Sequence, residues 1–200
     1  MAMDFKKVNA ALLALIALLI AALVWVVANR SDNPMDDMDH HMGHGSSSSE
    51  LTGADVMFLQ MMIPHHQQAI DISDLAISKS KNAEILNLAA RIKSEQSTEI
   101  IQMKKWLSDA GASEEMGHHM DEMGGMLSDT ELADWEKATG ARFDRLWLQG
   151  MTAHHEGALH MTNMIRDAQN PEIRKFGEGI VKVQTSEIQE MKAILAKISS

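Results

Sequence analysis

Cysteine is absent from this 200-residue chain. That excludes a disulfide framework, a thiolate nucleophile and any metal site built on thiolate. Positive charge is also short, with 18 Lys and Arg against 28 Asp and Glu and a net charge of −10. Phosphate contacts need an excess of Lys and Arg, so nucleic acid is excluded as a partner. An acidic chain does suit cations. No segment keeps an alternation of period two, so no sheet is expected. Tyr is missing and Phe occurs only 4 times, whereas Met occurs 17 times. Methionine fills core gaps, but it is also the one soft donor left to a chain without cysteine.

Val8 to Ala28 is almost uninterruptedly apolar, preceded by Lys6 and Lys7 and followed by Asn29 and Arg30. A bilayer-spanning helix needs about 20 such residues. The basic flank predicts that the N-terminus stays cytoplasmic and that the rest is translocated. Val26 and Ala28 also suit a cleavage site, so residues 1–30 read either as an anchor or as a cleaved signal peptide. Both readings put the remaining chain outside the cytoplasm, on the membrane or released from it. Residues 31–52, with four consecutive serines, cannot bury a core and are expected to be a disordered linker.

The remainder, 53–200, contains one unit written twice. Phe58-Leu-Gln-Met-Met-Ile-Pro-His-His-Gln-Gln-Ala69 is answered by Trp147-Leu-Gln-Gly-Met-Thr-Ala-His-His-Glu-Gly-Ala158. Gln96-Ser-Thr-Glu-Ile-Ile-Gln-Met-Lys104 is answered by Gln184-Thr-Ser-Glu-Ile-Gln-Glu-Met-Lys192. Two copies at this spacing are an internal duplication, not a solenoid. Each copy reads as a helical hairpin: Asp55 to Ser78 with Asn82 to Ala110, then Arg142 to Ala168 with Glu172 to Ser199. The copies occupy 53–110 and 131–200, separated by a polar linker at 111–130. Asn82 and Asn170 suit N-caps, with Pro171 at the first helical position. The expectation is an all-α four-helix bundle.

The core stripes are unusual for what they contain. Phe58, Met62, His65, Ala69, Ile72 and Ala76 fall on one helical stripe, and Trp147, Met151, His154, Ala158, Met161 and Ile165 repeat it. The second helices give Ile92, Gln96, Glu99, Met103 and Trp106, and then Ile180, Gln184, Glu187 and Met191. His66 and His155 lie about 100° further round, on apolar flanks. Unpartnered burial costs ~1–3 kcal/mol for each neutral polar group. A satisfied His–Glu or His–Gln network that fixes register is the bland explanation, with His65 and Glu99 as expected neighbours. A Met-x-x-His-His cluster occurring twice (Met62, His65, His66; Met151, His154, His155) points instead to metal. Pro64 sits before the first His pair, where a helix-interior proline costs ~3 kcal/mol.

Two further clusters combine the same donors. Met35, Met38, His40, His41, Met42 and His44 lie in the first linker, and Met116, His118, His119, Met120, Met123 and Met126 in the second. Methionine has no packing role in a solvated loop, so both are read as open capture sites. Imidazole with thioether favours Cu(I), with Ag(I) as its mimic. Imidazole must be neutral to ligate, so binding is expected to weaken below pH ~6.5.

The doubled Leu-Gln-x-Met-x-x-His-His motif and the later Gln-[Ser/Thr]-x-Glu-Ile-x-x-Met-Lys motif resemble those of the family called domain of unknown function 305. The resemblance spans about residues 53 to 198. It implies a ferritin-like bundle, and some members resemble a periplasmic protein that takes copper on Met and His. By that resemblance Met62, His65, His66, Met151, His154 and His155 are ligand candidates. Glu99, Met103, Glu187 and Met191 join them from the inward stripes.

Two other readings compete. A di-iron enzyme wants Glu-x-x-His on its bundle helices, yet the instance noted, Glu115 to His118, falls in a loop. Glu156 and His160 read as a surface pair near Met164. A purely structural or partner-binding bundle would retain no metal. No nucleophile, base and orienter come together in the sequence, so no catalytic activity is expected. Metal ions, the membrane, other copper-handling proteins and a second copy of the chain are the expected partners.

Overall fold

The computed structural model describes residues 50–115 and 124–199. They form helices α1 Gly53–Lys79, α2 Ala83–Asp109, α3 Asp129–Lys137, α4 Gly140–Met161 and α5 Pro171–Ile198, with a 3-10 turn Thr162–Ile165 after α4. The described residues contain no strand. None of their helices is long and apolar enough to cross a membrane. The apolar run at 8–28 and its anchor reading lie outside the described residues, as does the cluster at 35–44.

Local chemistry sets the helix starts. Thr52 and Asp55 make a reciprocal capping box at α1, and Asn82 Oδ1 accepts from the Glu84 and Ile85 N–H groups. Asn170 caps α5 in the same way, with Pro171 opening the helix. One boundary differs from the sequence expectation. The helix expected to run from Arg142 to Ala168 starts at Gly140 and leaves α geometry after Met161. The Thr162 hydroxyl donates to the Leu159 carbonyl at 2.7 Å, a local bond that competes with the helical ladder. The short helix α3 was not anticipated either, although Ser128 and Glu131 form a second capping box at its start.

The long helices pack as two hairpins, α1 on α2 and α4 on α5, joined mainly where α1 meets α4. Helices α2 and α5 touch far less. The Trp147 indole, fully buried, donates to the Ile72 carbonyl at 3.0 Å and ties α4 to α1. Helix α3 is seated by a missing side chain. A Cβ at Gly150 would lie 2.2 Å from the Trp135 ring, so Trp135 packs where the first copy carries Met61. Pro64 sits within α1, which continues past it to Lys79.

The apolar core is divided in two. One part gathers Ala69, Ile72, Ile92, Trp147, Met151, Ile188 and Met191. The other gathers Phe58, Met62, Ile100, Met103, Ala158, Met161 and Ile180. On all four long helices the chain passes from one part to the other through polar residues. These are His65 and His66 on α1, Gln96 and Glu99 on α2, His154 and His155 on α4, and Gln184 and Glu187 on α5. A polar layer therefore crosses the middle of the bundle.

Candidate metal centre

Every histidine of this layer is buried, with exposures of 0–1 %. At its centre the His65 and His154 rings face one another, with centroids 3.7 Å apart and planes tilted by 35°. His66 and His155 stand outside them, their centroids 6.4 and 6.3 Å from His65 and His154. The near-equal spacings follow from the duplication.

Each outer histidine has a carboxylate. His66 Nε2 donates to Glu99 Oε2 at 2.7 Å, and His155 Nε2 donates to Glu187 Oε2 at 2.9 Å. The expected neighbour of Glu99 was His65; the partner is instead His66. The His65 ring turns instead to His154 of α4, which leaves His66, one position on, to meet Glu99 of α2. A carboxylate only accepts, so each outer ring carries a proton on Nε2, and Nδ1 is the atom left to ligate in the neutral ring. His66 Nδ1 and His155 Nδ1 are buried without a partner. Glu99 and Glu187, read from the sequence among the metal-site residues, thus hold histidines in this arrangement.

The two central rings have no such support. All four nitrogens of His65 and His154 are buried and unpartnered, as are both amide atoms of Gln96 and Oε1 of Gln184. Burial is the main force lowering the His65 pKa to about 3, with the neighbouring His66 and His155 adding to it and the Gly124 backbone offsetting a little. Burial likewise lowers His154 well below its ordinary value, assisted by the charges of His65, His155 and His66. Both rings are therefore neutral throughout the physiological range, with lone pairs available. The sequence expectation of proton competition near pH 6.5 does not hold for this pair, because the core disfavours the imidazolium form.

Thioethers bracket the layer. Met62 and Met103 belong to one half of the core and Met151 and Met191 to the other, all four fully buried. Among the described residues, no three His, Asp or Glu side chains converge as a ready-made metal cage. What converges is a neutral imidazole pair, with a buried methionine about one helical turn from the polar residues on each long helix. Imidazole with thioether suits a soft cation better than a hard one.

The α1–α4 face of the layer is covered by backbone. Gln68 grips Leu127 twice, its Nε2 donating to the carbonyl at 2.9 Å and its Oε1 accepting from the N–H at 2.8 Å. Across from it, Gly124 and Gly125 lie on Gly157, where a Cβ would stand 1.8 Å from the Gly124 carbonyl oxygen. Gly125 has φ +86°, a conformation that suits glycine. Gln68 and Gly157 are equivalent positions of the duplicated motif, each two residues after its second histidine. One became a clamp and the other a seat for the same loop. Met126 is partly buried against the core here, which corrects its reading as an open capture residue. Met116, His118, His119, Met120 and Met123 lie outside the described residues.

Gly157→Ala tests the seat. Its clash is with backbone, so the loop or α4 must move, at an expected cost of ~3 kcal/mol. Gly179→Ala, whose Cβ would meet nothing within 4 Å, should be neutral or slightly stabilising. Chemical denaturation of both variants measures the difference, and equal stabilities would contradict the seat.

The family described as domain of unknown function DUF305 matches residues 55–195. The chain belongs to the DUF305 family. A DUF305 fragment from Deinococcus radiodurans has the same fold at 30% identity, with a TM-score of 0.70, covering 74% of this chain and 99% of that one. CopM in its Cu(I)-bound form is 30% identical with a TM-score of 0.61, over 74% of this chain and 98% of that one. CopM in an Ag-bound form is 30% identical with a TM-score of 0.59, over 72% and 96%. No curated protein matches the sequence. Helical throughout its described residues apart from turns and loops, this DUF305 protein is thus similar to CopM, whose structures include copper- and silver-bound forms.

Proposed function

We propose that this DUF305 protein binds copper as Cu(I), with Ag(I) as a mimic, in the polar layer of its bundle. His65 and His154 supply the two nitrogens that hold the ion, and the Nδ1 atoms of His66 and His155 stand outside them as the next donors in line. Met62, Met103, Met151 and Met191 supply sulfur from either side. The observation that carries this reading is the pair of facing, neutral, fully buried imidazoles whose four nitrogens make no hydrogen bond of normal geometry. Unpaired polar atoms cost ~1–3 kcal/mol each, so a bundle selected for stability alone would not keep them. The similarity to CopM supports the choice of metal. The role is non-catalytic: storage, transfer or resistance outside the cytoplasm, with the His/Met stretches at 35–44 and 116–123 gathering ions. A DUF305 neighbour from Streptomyces coelicolor classed as secreted fits that location. The apolar run at 8–28 serves as anchor or signal, and a copper-handling partner or a second copy receives the ion.

Metal preference tests the proposal. Competition against a chromogenic Cu(I) chelator, with a parallel Zn(II) titration, should rank Cu(I) and Ag(I) far above Zn(II). Tighter binding of zinc would overturn it.

A further inference from the structure

The two His–Glu pairs are copies in sequence but not in surroundings. Glu187 is 4 % exposed, and its second oxygen, Oε1, lies 3.8 Å from Arg91 Nε. Glu99 is 23 % exposed. It lines a groove of about 460 Å³ between α2 and α5, with Thr98, Gln102, Trp106, Phe176 and Gly179. Trp106 and Phe176 meet edge to face at 5.1 Å and form an apolar wall. Lys175 and Glu172, of opposite charge, complete the lining. Glu99 Oε2 accepts directly from His66, which is itself 0 % exposed. One hydrogen bond thus separates groove solvent from the buried imidazole layer.

The other approaches differ. On the α1–α4 face the Gly124–Leu127 backbone is pinned by Gln68 and seated on Gly157. On the Glu187 side the carboxylate is buried beside Arg91, whose positive charge repels a cation. Glu99, by contrast, is partly exposed and opens onto the groove. The seam itself is where the helices touch least.

We propose that the α2–α5 groove is the port through which a soft monovalent cation enters and leaves the histidine layer, passing Glu99 to reach His66, and that His155–Glu187 is the closed counterpart of this pair. The port rests on the metal reading above. The duplicated halves have divided their work: one pair exchanges the ion and the other fixes its neighbour's ring. A port affects rates and not equilibria, which makes it separable from the site.

Gly179 offers the means. It is exposed, lines the groove, and a Cβ there meets nothing. Gly179→Trp adds bulk over Glu99 without entering the core, and Gly179→Ala is its control. Both are made in the full chain with the linker residues Met35, Met38, His40, His41, Met42, His44, Met116, His118, His119, Met120 and Met123 replaced by Ser. Each protein receives one equivalent of Cu(I), and transfer to excess chromogenic chelator is followed by stopped flow, alongside equilibrium affinity. Gly179→Trp should slow transfer by about tenfold or more, because helix motion must now open the path, with Kd unchanged. Gly179→Ala should match the parent. If the parent holds no Cu(I), the metal reading fails. If it holds Cu(I) and Gly179→Trp releases it at the parental rate, the port is elsewhere. Faster release in Gln68→Ala without slowing in Gly179→Trp would also overturn the proposal, in favour of exit beneath the Gly124–Leu127 loop.

Discussion

The apo protein should lose stability steeply as the pH falls from about 6.5, and His65 and His154 should account for the loss. Unfolded, each imidazole takes up a proton near its reference pKa of about 6.5. Folded, His65 resists protonation down to about 3, and His154 is also lowered well below 6.5. A depressed histidine pKa means that the unfolded state binds more protons in this window. Stability therefore falls with pH, by up to about 1.4 kcal/mol per unit for each histidine. Between pH 6.5 and 5 that amounts to ~2 kcal/mol for His65, and His154 adds to it in the same direction. The measurement is melting temperature against pH for the parent and for H65L/H154L, so that background carboxylate titration cancels in the difference. The curves should converge with rising pH and part below about 6.5. Parallel curves would show that the pair is not held neutral by burial. Copper held by His65 and His154 should also stay bound at pH 5, since burial keeps protons off this pair.

Substituting adjacent histidines should shift stability in opposite directions. His65→Leu removes two unpartnered nitrogens, each carrying a desolvation cost of ~1–3 kcal/mol, and so should leave the apo protein as stable or more so. His155→Leu removes the partner of Glu187 and leaves a buried carboxylate with only Arg91 at 3.8 Å. Breaking a buried pair in this way costs ~3–5 kcal/mol. His66→Leu should cost less, because Glu99 is partly exposed and can turn to water. The order His65, His66, His155 in rising cost is read by urea denaturation at pH 7.5. If His65→Leu were the most damaging, the facing pair would be a packing device and not a metal layer.

Much of this was legible in the sequence. The stripes of Phe58 to Ala76 and Trp147 to Ile165 are buried as their periodicity requires, and Asn82 and Asn170 cap the helices as expected. The ladder of Gln96, Glu99, Gln184 and Glu187 lies at the level of the histidines. Trp106, placed on an inward stripe, is only half-buried, and Leu107 takes the core position beside it. Periodicity gives the face of a helix but not the neighbour opposite a given residue, so the pairing of Glu99 with His66 was hidden. The depressed pKa of His65 depends on burial from every side, which one helix cannot report. Helix α3 was missed despite its Ser128-x-x-Glu131 signature, because the Gly-containing stretch before it reads as linker. The fit of Gly157 under Gly124 and of Gly150 under Trp135 is long-range, and a lone glycine does not announce what lies on it.

The most direct test of the account is a Cu(I) competition titration of the full chain with its linker His and Met residues replaced, with and without H65L/H154L. The parent should hold Cu(I) tightly in the bundle and melt at a higher temperature when loaded. The double variant should fold as well or better without metal, yet show neither tight binding nor a copper-induced rise in melting temperature. Undiminished Cu(I) binding in the double variant would contradict the central claim.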